Sequence, residues 1–269
     1  MSSHRQAALA PGDVERYRAD GILVLRGTFA DWVEPLRAGV ERLLAEPSPL
    51  ERTYRPADGS APFFQDFCNW RRIPEFRAFV HESPAAPLAA RLMGSRTARF
   101  FHDHVLVKEP GTSVPTPWHQ DQPYYCVDGD QSVSFWIALD AVARDTVPEY
   151  VAGSHRWGKD FRPTRFDGTP LYAQDGFEAL PDIEAQRAHL RIVGEALAPG
   201  DALAFHFRTV HGAPANRSAA RRRGFSTRWV GDDAVYADRG GTTSPPFPDL
   251  KLAHGAPLEA PEFPVVYRA

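Results

Sequence analysis

Pro115-Thr116-Pro117-Trp118-His119-Gln120-Asp121-Gln122-Pro123-Tyr124-Tyr125 is the stretch on which the reading of the whole chain turns. Pro115 and Pro117 hold the residues before them out of helical torsions, so the backbone approaches His119 extended, and Gln122-Pro123 ends the extended run soon after. Side chains at i and i+2 of a strand share a face, so His119 and Asp121 are expected to point the same way. A His-x-Asp spacing by itself arises by chance in a chain with ten histidines, and its weight comes from its setting. Downstream, Val210-His211-Gly212 supplies a second imidazole and Arg221-Arg222-Arg223 a cluster of guanidinium groups. Two imidazoles and one carboxylate are the ligand set that holds Fe(II) on one octahedral face and leaves the remaining positions open for a chelating cosubstrate and O2.

The second imidazole has a rival. Asp201-Ala202-Leu203-Ala204-Phe205-His206-Phe207-Arg208-Thr209-Val210 follows a Pro199-Gly200 turn and reads as one strand that delivers His211 at its end,. His206 lies inside that run between phenylalanines, where a histidine is more often a hydrogen-bonded core residue. His211, at a strand terminus facing a loop, is the preferred ligand.

With 269 residues, 43% of them hydrophobic and 12% aromatic, the chain can bury a sizeable core,. A net charge of -3 and the lack of a basic stripe argue against a nucleic-acid surface,. No apolar run reaches membrane-spanning length, and Met1 to Gln6 lead into no apolar signal region. The two cysteines, Cys68 and Cys126, sit among apolar neighbours without a nucleophile motif, so each is expected to be a buried small hydrophobe in a reduced, cytoplasmic protein,.

The order of elements separates two characters. Pro11 to Pro47 read as helix, strand and helix: Ile22 to Leu25 form the strand, and Trp32, Leu36, Val40 and Leu43 fall on one helical face,. Residues 48–62 read as a Pro-rich surface loop and 73–93 as helical with proline interruptions. From Ala98 onward, short apolar or alternating runs separated by Gly and Pro argue for a sandwich or barrel of antiparallel strands rather than βαβ units. A single domain over 1–269 is therefore expected: a mostly helical support over 1–97, a β core over 98–235 and a C-terminal extension over 236–269. The polar and aromatic segment 161–191 interrupts the core as a lid-like insertion.

Trp118 to Tyr124, the turn Gly153-Ser154-His155-Arg156-Trp157-Gly158, and His211-Gly212-Ala213-Pro214-Ala215-Asn216-Arg217-Ser218 together resemble the phytanoyl-CoA dioxygenase (PhyH) family of Fe(II)/2-oxoglutarate oxygenases. Asp20-Gly21-Ile22-Leu23-Val24-Leu25-Arg26-Gly27 also looks like that family's opening strand. The resemblance implies a mainly β fold with flanking helices around a double-stranded β-helix, a cupin-like jelly roll. It implies His119, Asp121 and His211 as iron ligands and Arg222 as the anchor of 2-oxoglutarate, whose far carboxylate suits a bidentate guanidinium. If the next strand starts there, Arg222, Gly224, Ser226 and Arg228 share one face, while Arg221 and Arg223 read as solvated surface charge. Trp136 and His104 match inward positions near the cosubstrate and are equally readable as ordinary core. His155 is tempting as a ligand, but the resemblance makes its turn structural.

The region before Gly153 departs from the family in lacking an Asn-Gly turn and in carrying Ala152 where Pro is common. Iron-halogenase relatives replace the carboxylate ligand by Gly or Ala, so the presence of Asp121 argues against halogenation. The ectoine-hydroxylase signature around the first histidine does not match either. The expected activity is oxidation, by default hydroxylation, of a small-molecule metabolite with release of succinate and CO2, by a bacterial monomer or homodimer using Fe(II), 2-oxoglutarate and O2. Tyr124 and Tyr125 are candidate substrate contacts, or packed strand-end aromatics. The C-terminal Tyr267-Arg268-Ala269 carries no peroxisomal address. Two alternatives stand beside this reading: a cupin-like metal-dependent isomerase or hydrolase that dispenses with 2-oxoglutarate, and a non-catalytic ligand-binding β-sandwich.

Overall fold

In the computed structural model of the protein, which describes residues 9–165, 168–173 and 176–269, the chain order is as follows. Helix α1 (Asp13–Asp20), strand β1 (Ile22–Leu25), helix α2 (Val33–Ala45), strands β2 (Arg52–Tyr54) and β3 (Phe63–Phe67), and helices α3 (Pro74–Glu82) and α4 (Ala85–Met93) make the first third. Then come β4 (Thr97–Lys108), β5 (Thr116–His119), β6 (Val127–Asp128), β7 (Ser132–Ala138), β8 (Glu149–Val151), β9 (Ile192–Val193) and β10 (Ala202–Phe205). Strands β11 (His211–Ala213), β12 (Arg222–Val230), β13 (Val235–Tyr236) and β14 (Val265–Arg268) complete it.

The long sheet runs β1-β10-β7-β12-β4-β3-β2 with β14 also pairing β4, and the short sheet runs β5-β11-β8-β9; the pairings within both are antiparallel. Alternation along the strands of the long sheet decides what each face meets. On β7, Val133, Phe135 and Ile137 join Leu36, Val40, Phe76, Phe79 and Ala89 of the helices in one apolar layer, whereas Trp136 and Ala138 pack with Tyr150, Leu203 and Phe205 between the sheets. Phe225 of β12 anchors the helical side, its ring 4.5 Å from Phe76 and 5.5 Å from Phe79. The helices thus seal one face of the long sheet, and the short sheet covers the other.

The first 97 residues are more than helical support. The loop expected over 48–62 contains β2, and β3 pairs β4 with Phe63 opposite Lys108. Strand β1 pairs β10, with Ile22 opposite Phe205, and β14 pairs the start of β4. These additions cover strand edges that the core residues would leave open. The run read as one strand from Asp201 to Val210 breaks after Phe205: Thr209 N–H donates to His206 O in a turn, and His211 opens β11 instead of closing β10. Both cysteines are free; Cys126 is buried, whereas Cys68, expected to be buried too, is half-buried. No described helix is long and apolar enough to cross a membrane.

Candidate active site

His119 ends β5 and His211 begins β11, and the two are direct cross-strand partners with ring centroids 4.2 Å apart. Asp121 reaches them by a route that alternation does not describe. It lies beyond the strand, with helical torsions (φ -73, ψ -43), at the head of the short 3-10 turn Gln122–Tyr124. The N–H groups of Asp121 and Gln122 both donate to Phe207 O, at 2.8 and 3.1 Å, and this fixes the turn. The expectation that a flat strand presents His119 and Asp121 is thereby corrected: the turn carries the carboxylate back toward the imidazoles.

Asp121 Oδ1 lies 3.7 Å from His119 Nε2 and 3.9 Å from His211 Nε2, too long for hydrogen bonds and within reach of a shared cation,. Among the described residues these three form the group able to hold a metal ion, their ligand atoms all within 4.8 Å of one another. The ring nitrogens facing away are occupied, His119 Nδ1 with Pro117 O at 2.8 Å and His211 Nδ1 with Thr209 O at 2.9 Å. Since a carbonyl only accepts, both Nδ1 atoms carry the proton and both Nε2 lone pairs face the gap, the tautomer a metal needs. Burial, with His119 adding to it, pushes the His211 pKa down to about 3, so this imidazole is neutral,. Burial alone would raise the Asp121 carboxyl; Arg228 and the two histidines overcome it and hold the group well below the usual carboxylate range,. The donor set therefore fits a divalent iron ion.

A cavity of about 520 Å³ opens from this cluster between the sheets. Arg222, Trp136, His104, Tyr124 and Tyr125 all line it. Arg222 is the arginine of the triplet that faces inward. Arg221 pairs with Glu109 at 2.9 Å and Arg223 with Asp140 at 2.7 Å, so both are half-buried ion pairs on the outer side instead of the solvated charges expected. Arg222 is buried, donates to Thr146 O, and has no carboxylate partner among the described residues. Lys108 stands directly opposite it across β4 and β12, its Nζ donating to Pro214 O at 3.0 Å above the Phe63 ring. Burial pushes Lys108 down to about 6, with Arg222 contributing, and Arg222 down to about 10. A buried guanidinium, and beside it a buried amine that an arriving carboxylate would recharge, with no acid partner among the described residues, make an anion-binding end to the cavity,.

The remaining candidates separate cleanly. His104 Nε2 is 3.0 Å from Gln65 Oε1 and its ring stacks on Phe67 at 4.0 Å. Trp136 packs against Gly224, where an added Cβ would lie 2.5 Å from the indole. Tyr124 O–H donates to Thr164 O at 2.8 Å and so ties the segment 161–191 to the site, while Tyr125 is buried and accepts from Arg228 Nε. Thr164, Arg165 and Leu171 of that segment line the cavity. His155 bonds Arg18 O and His206 bonds Asp130 O, and neither joins the cluster. Arg228 and Lys108 were not singled out from sequence. Arg228 was placed on the Arg222 face by alternation alone, and Lys108 follows the apolar run Val105-Leu106-Val107, which was the available signal,.

Residues 17–224 match the family model described as Phytanoyl-CoA dioxygenase (PhyH). The non-heme α-ketoglutarate-dependent carbocyclase SnoK from nogalamycin biosynthesis is similar at 25% identity and TM-score 0.75, covering 98% of this chain and 99% of that one. The epimerase SnoN in complex with Fe3+, α-ketoglutarate and nogalamycin RO superposes with TM-score 0.74 at 24% identity, covering 94% of this chain and 97% of that one. EvdO2 from Micromonospora carbonacea var. aurantiaca, complexed with 2-oxoglutarate, does so with TM-score 0.63 at 22% identity over 90% and 96%. The latter two likenesses speak for the fold. No curated protein matches the sequence significantly.

Proposed function

The chain belongs to the phytanoyl-CoA dioxygenase (PhyH) family and is a 2-oxoglutarate-dependent non-haem iron enzyme, and from this premise we propose that His119, Asp121 and His211 are its Fe(II) ligands and Arg222 the anchor of 2-oxoglutarate. The carrying observation is the pairing, in one cavity, of a His-Asp-His cluster with a buried guanidinium that lacks an acid partner. When bound, iron and 2-oxoglutarate supply the oxidising power: O2 is consumed, 2-oxoglutarate leaves as succinate and CO2, and the second oxygen atom is available for insertion into a substrate C–H bond.

The protein's own residues provide the rest. The Nδ1 bonds to Pro117 and Thr209 hold both imidazoles in their metal-binding orientation,. Arg222, buried at the cavity wall, offers the fork that matches a carboxylate,. Trp136 and His104 shape the cosubstrate side of the cavity, while Tyr124, Tyr125 and the segment 161–191 bound the substrate side. The substrate is a small organic metabolite of bacterial specialised metabolism, taken by a cytoplasmic monomer or homodimer, and hydroxylation is the default outcome.

Succinate formation under air with Fe(II), ascorbate and 2-oxoglutarate, without added substrate, tests this reading. Slow turnover in the wild type, lost in His119→Ala and Arg222→Ala, is the expected result. Turnover that survives either substitution would overturn the assignment of that residue. A cupin-like isomerase or hydrolase would dispense with Arg222, and a non-catalytic sandwich would bind its ligand unchanged with alanine at His119 or Asp121.

A further inference from the structure

Several arginines of this protein are matched to carboxylates. Arg26 pairs with Asp201 at 2.8 Å, Arg144 with Glu149 at 3.0 Å, Arg208 with Asp130 at 2.6 Å and Arg239 with Asp128 at 2.7 Å. The cavity beyond the metal cluster offers no such match among the described residues. Arg52, Arg165 and Arg222 all line it, and none has a carboxylate partner among the described residues. Asp121 is the only carboxylate in the described lining, and it already faces Arg228 and the two histidines.

The three unmatched guanidiniums sit at different depths. Arg222 is buried, and its charge is met by the far carboxylate of 2-oxoglutarate in the reading above, on which this inference rests. Arg52 on β2 and Arg165 on the segment 161–191 are exposed, at the solvent side of the same cavity. Arg52 gives one N–H to Glu51 O, and Arg165 gives Nη1 to Pro170 O at 2.6 Å within its own loop. A guanidinium has five N–H donors, so both are oriented locally and keep donors to spare. The same cavity is also lined by the aromatic and aliphatic residues Tyr54, Phe67, Trp118 and Leu171.

Charge counting sharpens the point. Fe(II) and the 2-oxoglutarate dianion cancel, as do Asp121 and Arg228, and the interior then carries no negative excess to satisfy the mouth. We propose that the substrate is an anionic, largely aromatic small molecule, whose ring system lies against Tyr54, Phe67 and Trp118 and whose carboxylate or phosphate is read by Arg52 and Arg165. Such a pair selects by charge and sets the direction in which the ring enters, placing its far edge toward the iron ligands.

The test uses the full-length protein loaded with Co(II) and saturating 2-oxoglutarate, so that the inner site is filled and no turnover occurs. Calorimetry would compare 2-naphthoate, 2-naphthyl phosphate and the uncharged methyl 2-naphthoate. Exposed charge contacts are individually weak, so the expected preference of the wild type for an anion over the ester is about three- to tenfold, shrinking with added salt. Preference for naphthoate alone identifies a carboxylate, and for the phosphate alone a phosphate monoester. In Arg52→Gln/Arg165→Gln the preference should vanish while 2-oxoglutarate affinity stays within about twofold of wild type. Equal binding of anions and ester, binding of none of them, or a preference that persists in the double variant would overturn the proposal. If 2-oxoglutarate itself fails to bind, or binds Arg222→Gln as well as wild type, the cosubstrate reading fails separately, whatever the naphthalene probes do.

Discussion

Arg228 Nη2 lies 3.5 Å from Oδ2 of Asp121, the carboxylate oxygen turned away from the two imidazoles, while Arg228 Nε donates to Tyr125 Oη at 3.0 Å. Ser134 Oγ approaches the same Oδ2 at 3.4 Å. With Oδ2 so engaged, Asp121 presents Oδ1 alone to the histidines and can serve as a one-oxygen ligand. Partners of this kind typically contribute ten- to a hundredfold to metal affinity. Arg228→Gln is therefore expected to weaken Co(II) binding by about tenfold, read by visible absorption titration, with Tyr125→Phe giving a smaller loss. Removing a buried charge can also unfold a protein, so thermal melts of the same samples are needed. A folded Arg228→Gln with wild-type Co(II) affinity would show that Asp121 needs no such support.

Lys108 gives the site a pH signature. Burial, and secondarily Arg222, lowers its folded pKa to about 6, against about 10.4 for a free lysine. The folded protein thus binds fewer protons than the unfolded chain between these values, and its stability rises with pH across that window. Lys108→Met should flatten the rise, which thermal melts from pH 6 to 9 would reveal. A carboxylate arriving beside Lys108 and Arg222 favours the charged amine, so 2-oxoglutarate binding near pH 7.5 should take up protons. Calorimetry in buffers of different ionisation enthalpy measures that uptake, and Lys108→Met should abolish it.

Gly224 sits where β12 passes the Trp136 indole, and a Cβ there would come within 2.5 Å of the ring. A rigid ring between two sheets cannot yield by a small rotation, so Gly224→Ala must displace Trp136 into the cavity. Overpacking of this sort costs about 1–3 kcal/mol. The expected outcome is a lowered melting temperature together with weaker 2-oxoglutarate binding. Gly224→Ala/Trp136→Phe, which frees volume, should recover part of both. An unchanged Gly224→Ala would mean that the indole is not fixed where the cosubstrate binds.

The residues that were readable from sequence are those whose chemistry is unusual for their setting. His119, Asp121 and His211 stand out as a donor set, and Arg222 is the position that the family resemblance implies, with strand alternation setting Gly224, Ser226 and Arg228 on its face. The turn that delivers Asp121 was not readable, because it depends on Phe207 O, a carbonyl from a distant segment, accepting two N–H groups. The break after Phe205 was hidden for a related reason: His206 to Val210 carry strand-like side chains, yet Gly21 O, which accepts from His206 N–H and Thr209 Oγ1, holds them in a turn. Strands β2 and β3 escaped notice because they are specified by the edge of β4 they cover. Lys108 and Arg228 became visible as site residues only when the two sheets were brought face to face.

Tyr124 carries the last prediction, since its ring meets His119 and its hydroxyl holds Thr164 of the segment 161–191. Its ring meets His119 edge-on at 5.8 Å, while its hydroxyl donates to Thr164 O at 2.8 Å and accepts from Thr164 N–H at 2.9 Å. Tyr172 O–H adds a bond to Tyr124 O at 3.1 Å. Tyr124→Phe keeps the ring and leaves both backbone groups of Thr164 without this partner, at a local cost of about 1–3 kcal/mol. Amide exchange in a peptide carrying Thr164 should then speed up about five- to a hundredfold, while exchange in β7 and β12 stays unchanged. With the segment held less firmly at the cavity it lines, water should reach the cavity more often, and succinate formation without substrate should rise relative to wild type. Faster exchange at Thr164 with no change in that uncoupled turnover would show that the segment shapes the substrate side without controlling access of water to the metal.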